Sequence, residues 1–292
     1  MPTEPASVFV TAPDGLRLHV REHGPRTDAR PAVVCLPGLT RTTADFDALA
    51  GALAATGRRV LALDSRGRGR SDYDRNSENY SLPVELADLM TVLTAREARP
   101  AVFVGASRGG LLTMLLAAAQ PASIAGVIFN DIGPAIEPKG LMRLKGYVGK
   151  IPQPRNEDEG AEILRRLFGQ QFPSLDDVAW RAFVRRTWRV EGDRYVPTSD
   201  PKLADTLRSI DPEVPVPTMW PQFDALAGVP VMVVRGENSD ILMPETVTAM
   251  KTRRPDLDVL EIPGQGHTPL LAEPETIAKL IAFIDTCGAP RR

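Results

Sequence analysis

The pentapeptide Gly105-Ala106-Ser107-Arg108-Gly109 follows the apolar, β-prone run Ala101-Val102-Phe103-Val104 and precedes a helix-forming run over 111–117. Small residues around a serine, between a buried strand and a helix, describe a sharp turn that raises the hydroxyl above the edge of a sheet. Such a strand-turn-helix unit constrains what surrounds it, because the strand needs neighbours on both sides and the helix needs a sheet face to cover. The rest of the chain supplies both. Strand-like runs over 7–11, 16–22, 32–36, 59–63, 101–104, 124–130, 229–235 and 258–262 alternate with helical patterns over 44–55, 83–96, 107–119, 245–251 and 275–285. Several of these β runs are apolar throughout instead of alternating with polar residues. The expectation is an α/β fold: a mostly parallel sheet of about eight strands with helices on both faces.

Ser107 is the candidate nucleophile, and a serine hydroxyl needs a base that is itself oriented by an acid. The chain has 3 histidines. His19 and His23 lie on or just past the alternating segment 16–22 and read as structural, whereas His267 sits in the Gly/Pro-rich loop Ile262-Pro263-Gly264-Gln265-Gly266-His267-Thr268-Pro269 and is the expected base. Asp240, in the loop after the β run 229–235, is the preferred acid. Asp131, at the end of the strand-like run 124–130, and Glu237 are its rivals.

In the order Ser, Asp, His, and in the stretches Leu36-Pro37-Gly38-Leu39 and Asp64-Ser65-Arg66-Gly67-Arg68-Gly69-Arg70-Ser71, the chain resembles the α/β-hydrolase superfamily over nearly its full length. The resemblance implies a cofactor-independent serine hydrolase acting on a small or medium ester, thioester or lactone. It further implies an oxyanion hole made by two backbone N–H groups, those of Leu39 and Arg108. The chain departs from many relatives in having Pro37 where they have His, and Arg108 after the serine. Arg108 reads as a structural residue paired with a carboxylate, the alternative being a cation facing the pocket. The same three residues could serve carbon–carbon bond hydrolysis, perhydrolysis or a non-catalytic small-molecule receptor. Thr268, where carbon–carbon hydrolases often have Trp, counts against the first. A serine in place of a carboxylate nucleophile counts against epoxide hydrolase or dehalogenase chemistry.

Between the β runs at 124–130 and 229–235 lies a long connection with helical patterns over 160–168 and 175–188, divided by prolines and without a convincing strand. So long an insertion in a compact domain is usually functional. The expected organisation is a core of residues 1–133 and 225–292 with a helical cap of residues 134–224. Arg181, Arg185, Arg186, Arg189 and Arg194 read as a solvated helix face, and Gly67-Arg68-Gly69 as a turn, since it lacks the lysine and spacing of a phosphate loop. A net charge of −2 gives no argument for nucleic acid or an acidic membrane surface. No apolar run approaches the ~20 residues that span a bilayer, and Met1-Pro2-Thr3-Glu4-Pro5 does not look like a signal peptide, so a cytoplasmic location is expected. Cys35 and Cys287 read as free thiols, with no metal or cofactor implied and a small molecule as the expected partner.

Overall fold

A computed structural model describes residues 4–211 and 213–288. Residues 1–3, part of the segment in which no leader is expected, and Pro212, one of the prolines dividing the insertion, lie outside the described residues. The strands are β1 (Ala6–Thr11), β2 (Arg17–His23), β3 (Ala32–Leu36), β4 (Val60–Asp64), β5 (Ala101–Ala106), β6 (Ile124–Asn130), β7 (Trp188–Glu191), β8 (Arg194–Pro197), β9 (Val231–Gly236) and β10 (Asp258–Ile262). The helices are α1 (Asp47–Ala55), α2 (Leu82–Ala95), α3 (Arg108–Ala119), α4 (Pro138–Tyr147), α5 (Glu157–Phe168), α6 (Asp177–Thr187), α7 (Trp220–Asp224), α8 (Pro244–Arg253) and α9 (Pro274–Thr286). Among the described residues no helix is long and apolar enough to cross a membrane.

Eight strands form one sheet in the order β1-β2-β4-β3-β5-β6-β9-β10. β1 and β2 are antiparallel to their neighbours, and β4, β3, β5, β6, β9 and β10 run parallel to one another. The central strands are apolar throughout because both of their faces are covered. Along β3 and β5, Val34, Leu36 and Phe103 point into one apolar layer, while Val33, Cys35, Val102 and Val104 point into the other. Helices α2 and α3 close the first layer, and α1 and α9 close the second.

The long connection departs from its expected all-helical character in one place. β7 and β8 form a two-stranded antiparallel ribbon directly after α6. Its turn carries Gly192 at φ 62°, the left-handed region open to glycine. The remainder of the insertion packs as a small aromatic core of its own: Phe168 stacks on Phe183 at 5.6 Å, Trp180 stacks on Phe183 at 6.0 Å, and Leu164 and Val184 are fully buried beside them.

Candidate active site

Ser107 occupies the single residue between β5 and α3, with φ 49° and ψ −115°. A side chain in that conformation is strained, and two close approaches hold it there. A Cβ on Gly105 would come within 2.7 Å of the Gly110 backbone, and one on Gly109 would collide with the Leu36 carbonyl. The two glycines of the pentapeptide are therefore fixed by the packing of α3 against β5 and β3. The Ser107 amide donates to the Asn130 carbonyl at 3.0 Å, which ties the turn to the end of β6.

His267 meets this turn from the loop after β10. Asn130 Nδ2 donates to the Pro269 carbonyl at 3.0 Å, and the Leu270 amide donates to Gln265 Oε1 at 2.8 Å, bracing the loop on both sides of the histidine. Nε2 of His267 lies 2.8 Å from Ser107 Oγ, and Nδ1 lies 2.8 Å from a carboxylate oxygen. That carboxylate belongs to Asp131, not to Asp240, so the preferred acid of the sequence reading is corrected on geometry. With its proton on Nδ1, the imidazole donates to Asp131 Oδ2, and Nε2 is free to accept the proton of Ser107.

The strand register explains why. Ala106 of β5 pairs with Asn130 of β6, so Ser107 and Asp131 leave adjacent strands at the same height. Asp131 takes φ 57°, a conformation that Asp tolerates better than most residues, and its side chain is wholly buried. It accepts three hydrogen bonds: from the Gly236 amide on Oδ1 at 2.9 Å, and from Ser239 Oγ at 2.6 Å and His267 Nδ1 on Oδ2. The loop after β9 turns at Ser239, whose amide donates to the Gly236 carbonyl at 2.9 Å; Ser239 then faces Asp131, and Asp240 faces the insertion. There Asp240 takes a bidentate ion pair from Arg143 of α4 at 2.6 and 2.8 Å, and a hydrogen bond from Gln171 at 2.9 Å. Burial pushes the Asp240 carboxyl up, but Arg143 outweighs it and holds the group below its usual value. Glu237 accepts from the Gly264 amide at 2.8 Å.

Arg108 points away from the cavity. Its Nε donates to Glu85 Oε2 at 2.7 Å, and a terminal nitrogen donates to the Tyr80 carbonyl at 2.8 Å. The other Glu85 oxygen accepts from Arg68 at 2.6 Å, and Arg68 Nε donates to the Leu39 carbonyl, also at 2.6 Å. One buried carboxylate thus links the residue after Ser107 to the loop that carries Leu39. Burial pushes the Glu85 carboxyl up, and the two guanidiniums more than offset this, so it sits below the usual carboxylate range.

A second Ser-His-Asp series exists at the sheet edge: Ser7 Oγ to His19 Nε2 at 2.7 Å, and His19 Nδ1 to Asp64 at 2.7 Å. It differs from the first in the setting of its serine. Ser7 lies in the regular edge strand β1 and also accepts from Arg70, while Asp64 is occupied in holding the Thr43 and Arg70 amides of the neighbouring turns. That turn contains Gly67 and Gly69 at φ 74° and 56°.

Ser107 and His267 open into a cavity of about 140 Å³ at the carboxyl ends of the strands, the usual ligand position in a sheet of this kind. Among the aromatic and apolar residues of the insertion that line it are Leu144, Tyr147, Phe168, Phe172, Phe183 and Trp188. Trp180 lies in the insertion's own core, and Trp220 packs edge-on against Phe223 under the sheet. The arginines of α6 and β7 also divide. Arg181 pairs with Asp158 and Arg185 with Glu157 on the outer face, and Arg189 with Glu191, whereas Arg186 turns inward and lines the cavity. The solvated-face reading fails for Arg186, which shares its helix face with Phe183 three residues earlier.

Residues 33–280 match the alpha/beta hydrolase family. A 3-hydroxybutyrate-oligomer hydrolase from Cupriavidus necator is 33% identical over 278 residues, covering 91% of this chain and 92% of that protein. A 2-(acetamidomethylene)succinate hydrolase from Mesorhizobium japonicum is 27% identical over 273 residues, covering 92% of each. Among solved structures, an alpha/beta hydrolase from Novosphingobium aromaticivorans superimposes with a TM-score of 0.90 at 40% identity, covering 97% of this chain and 99% of that one.

Proposed function

Because the chain belongs to the alpha/beta hydrolase family and aligns a serine, an imidazole and a buried carboxylate in hydrogen-bonded series, we propose that it is a serine hydrolase cleaving small or medium esters, thioesters or lactones through an acyl-enzyme. The hydrogen-bonded line Ser107–His267–Asp131, opening into a mainly apolar cavity, is the observation that carries this reading. His267 Nε2 takes the Ser107 proton as Oγ attacks the substrate carbonyl, and Asp131 stabilises the imidazolium that forms. The amides of Leu39 and Arg108 receive the oxyanion, and the Arg68–Glu85–Arg108 bridge holds their two loops in register. Collapse expels the alcohol, which takes its proton from His267. Water, activated by the same imidazole, then releases the acid and restores Ser107.

In this reading residues 134–224 act as a cap that excludes water and shapes the pocket. A cavity of about 140 Å³ is comparable with one that holds a benzene-sized ligand, which favours short acyl groups. The Cupriavidus relative is named for oligomers of 3-hydroxybutyrate, a short hydroxy acid whose oligomers are joined through ester bonds, and a single hydroxybutyryl unit suits this volume. The test is hydrolysis of p-nitrophenyl butyrate and of the linear 3-hydroxybutyrate dimer by the purified protein and by Ser107→Ala. Turnover lost in the variant, with its fold intact, supports the reading. Turnover that persists near the parent level overturns it.

A further inference from the structure

The cavity wall holds more positive charge than the protein neutralises. Arg41 grips both oxygens of Asp45, Nε to Oδ2 at 2.7 Å and a terminal nitrogen to Oδ1 at 2.6 Å, and its remaining nitrogen reaches Thr187 Oγ1 at 3.2 Å. Arg186 approaches the same carboxylate. Its Nε is 3.6 Å from Asp45 Oδ1, too far for a hydrogen bond, and is buried without an acceptor. Among the described residues no group accepts a hydrogen bond from this guanidinium. The next carboxylate, Asp47, is hydrogen-bonded to Arg21. Two guanidiniums therefore share one carboxylate, with side chains only 16% and 19% exposed.

A partly desolvated cation without a full partner is costly unless something else supplies the anion. Burial, together with the charge of Arg41, pulls Arg186 below the usual arginine value, as expected for a cation short of an acceptor. Phe183 underlies both groups, with Arg41 at 4.8 Å and Arg186 at 5.6 Å from its ring centre, and so restrains their orientation. Both arginines line the cavity that Ser107 faces, and the stem of Arg41 passes close to the nucleophile. A Cβ on Gly38 would lie 3.4 Å from Arg41 Cγ and 3.6 Å from Ser107 Cβ.

We propose that Arg186, backed by Arg41, is a carboxylate subsite of this cavity, and that the preferred substrates are esters carrying a free carboxylate a short spacer from the scissile carbonyl. The planar fork of Arg186 matches a carboxylate in a way that a neutral ester end cannot. The assignment of a scissile carbonyl rests on Ser107 as nucleophile; the anion preference itself does not need turnover.

The test is therefore a binding measurement. Ser107→Ala protein is titrated by calorimetry with the linear 3-hydroxybutyrate dimer and with its methyl ester, in which an uncharged –COOCH₃ replaces the terminal carboxylate. The proposal expects the acid to bind roughly 10- to 100-fold tighter, the range for a hydrogen bond to a charged group. Adding Arg186→Gln should remove that ratio, and Arg186→Lys, which keeps the charge without the fork, should give an intermediate one. Equal affinities for acid and methyl ester in the Ser107→Ala protein overturn the subsite whether or not the Arg186 variants fold, as does a ratio unchanged by Arg186→Gln. A protein that binds the acid selectively yet never hydrolyses either ester would refute the esterase reading and leave the subsite standing.

Discussion

Asp131→Asn is the substitution whose effect can be worked out most fully. All three groups facing the Asp131 carboxylate are donors: the Gly236 amide, the Ser239 hydroxyl and His267 Nδ1. An asparagine must place its NH₂ against one side of that set. The Gly236 amide is fixed in the backbone and cannot reverse, so the NH₂ takes the Oδ2 side. There the serine hydroxyl can rotate away and the imidazole can change tautomer. His267 then carries its proton on Nε2, directed at Ser107, and can no longer accept one. The imidazolium of the transition state also loses its counter-charge. The wrong tautomer costs about 10⁴-fold in the best-studied triad, or about 5.4 kcal/mol of barrier. The assay is kcat for p-nitrophenyl butyrate, alongside circular dichroism to confirm the fold. Asp240→Asn serves as the control. It breaks the Arg143 pair, whose side chains are 25% and 27% exposed, and should lower stability by about 1 to 3 kcal/mol with kcat within about tenfold of the parent. A loss for Asp240→Asn exceeding that for Asp131→Asn would refute the reasoning.

Three further outcomes are expected. Glu85→Gln should lower the melting temperature, because it leaves Arg68 and Arg108 facing a neutral amide, a change that for buried pairs costs about 3–5 kcal/mol. Since the Glu85 carboxyl is depressed in the folded state, its contribution is complete above the ordinary value of 4.5 and is lost as pH falls through the lower folded value. Thermal melts across that acid range should accordingly show a shallower acid limb in Glu85→Gln; an unchanged limb would contradict the role given to this carboxylate. In acyl-chain scans, p-nitrophenyl butyrate should exceed the dodecanoate in kcat/KM, and the reverse order would contradict the size inferred from the cavity.

The eight strands of the sheet were legible because each is a short apolar or alternating run bounded by turn residues, and their order alternates with helical periods. The ribbon was not. Trp188–Glu191 and Arg194–Pro197 are four residues each, and the first continues the arginine-rich period of α6, so only Gly192-Asp193 between them signalled a hairpin. Ser107 and His267 were legible from their turns. The acid was not, because the choice between Asp131 and Asp240 depends on which strands lie side by side and at what register, and on which way the loop turns at Ser239. Arg186 was hidden for a related reason. Charge counting along α6 groups it with Arg185, whereas the helix places it on the face of Phe183.

The central claim, that Ser107 is the activated nucleophile, is tested most directly by reacting the protein with a fluorophosphonate and locating the adduct by peptide mass mapping. An activated serine reacts through its paired base, so the account predicts a single adduct on Ser107, absent from Ser107→Ala and strongly slowed in His267→Ala. No adduct, or an adduct on Ser7 at the second Ser-His-Asp series, would contradict it.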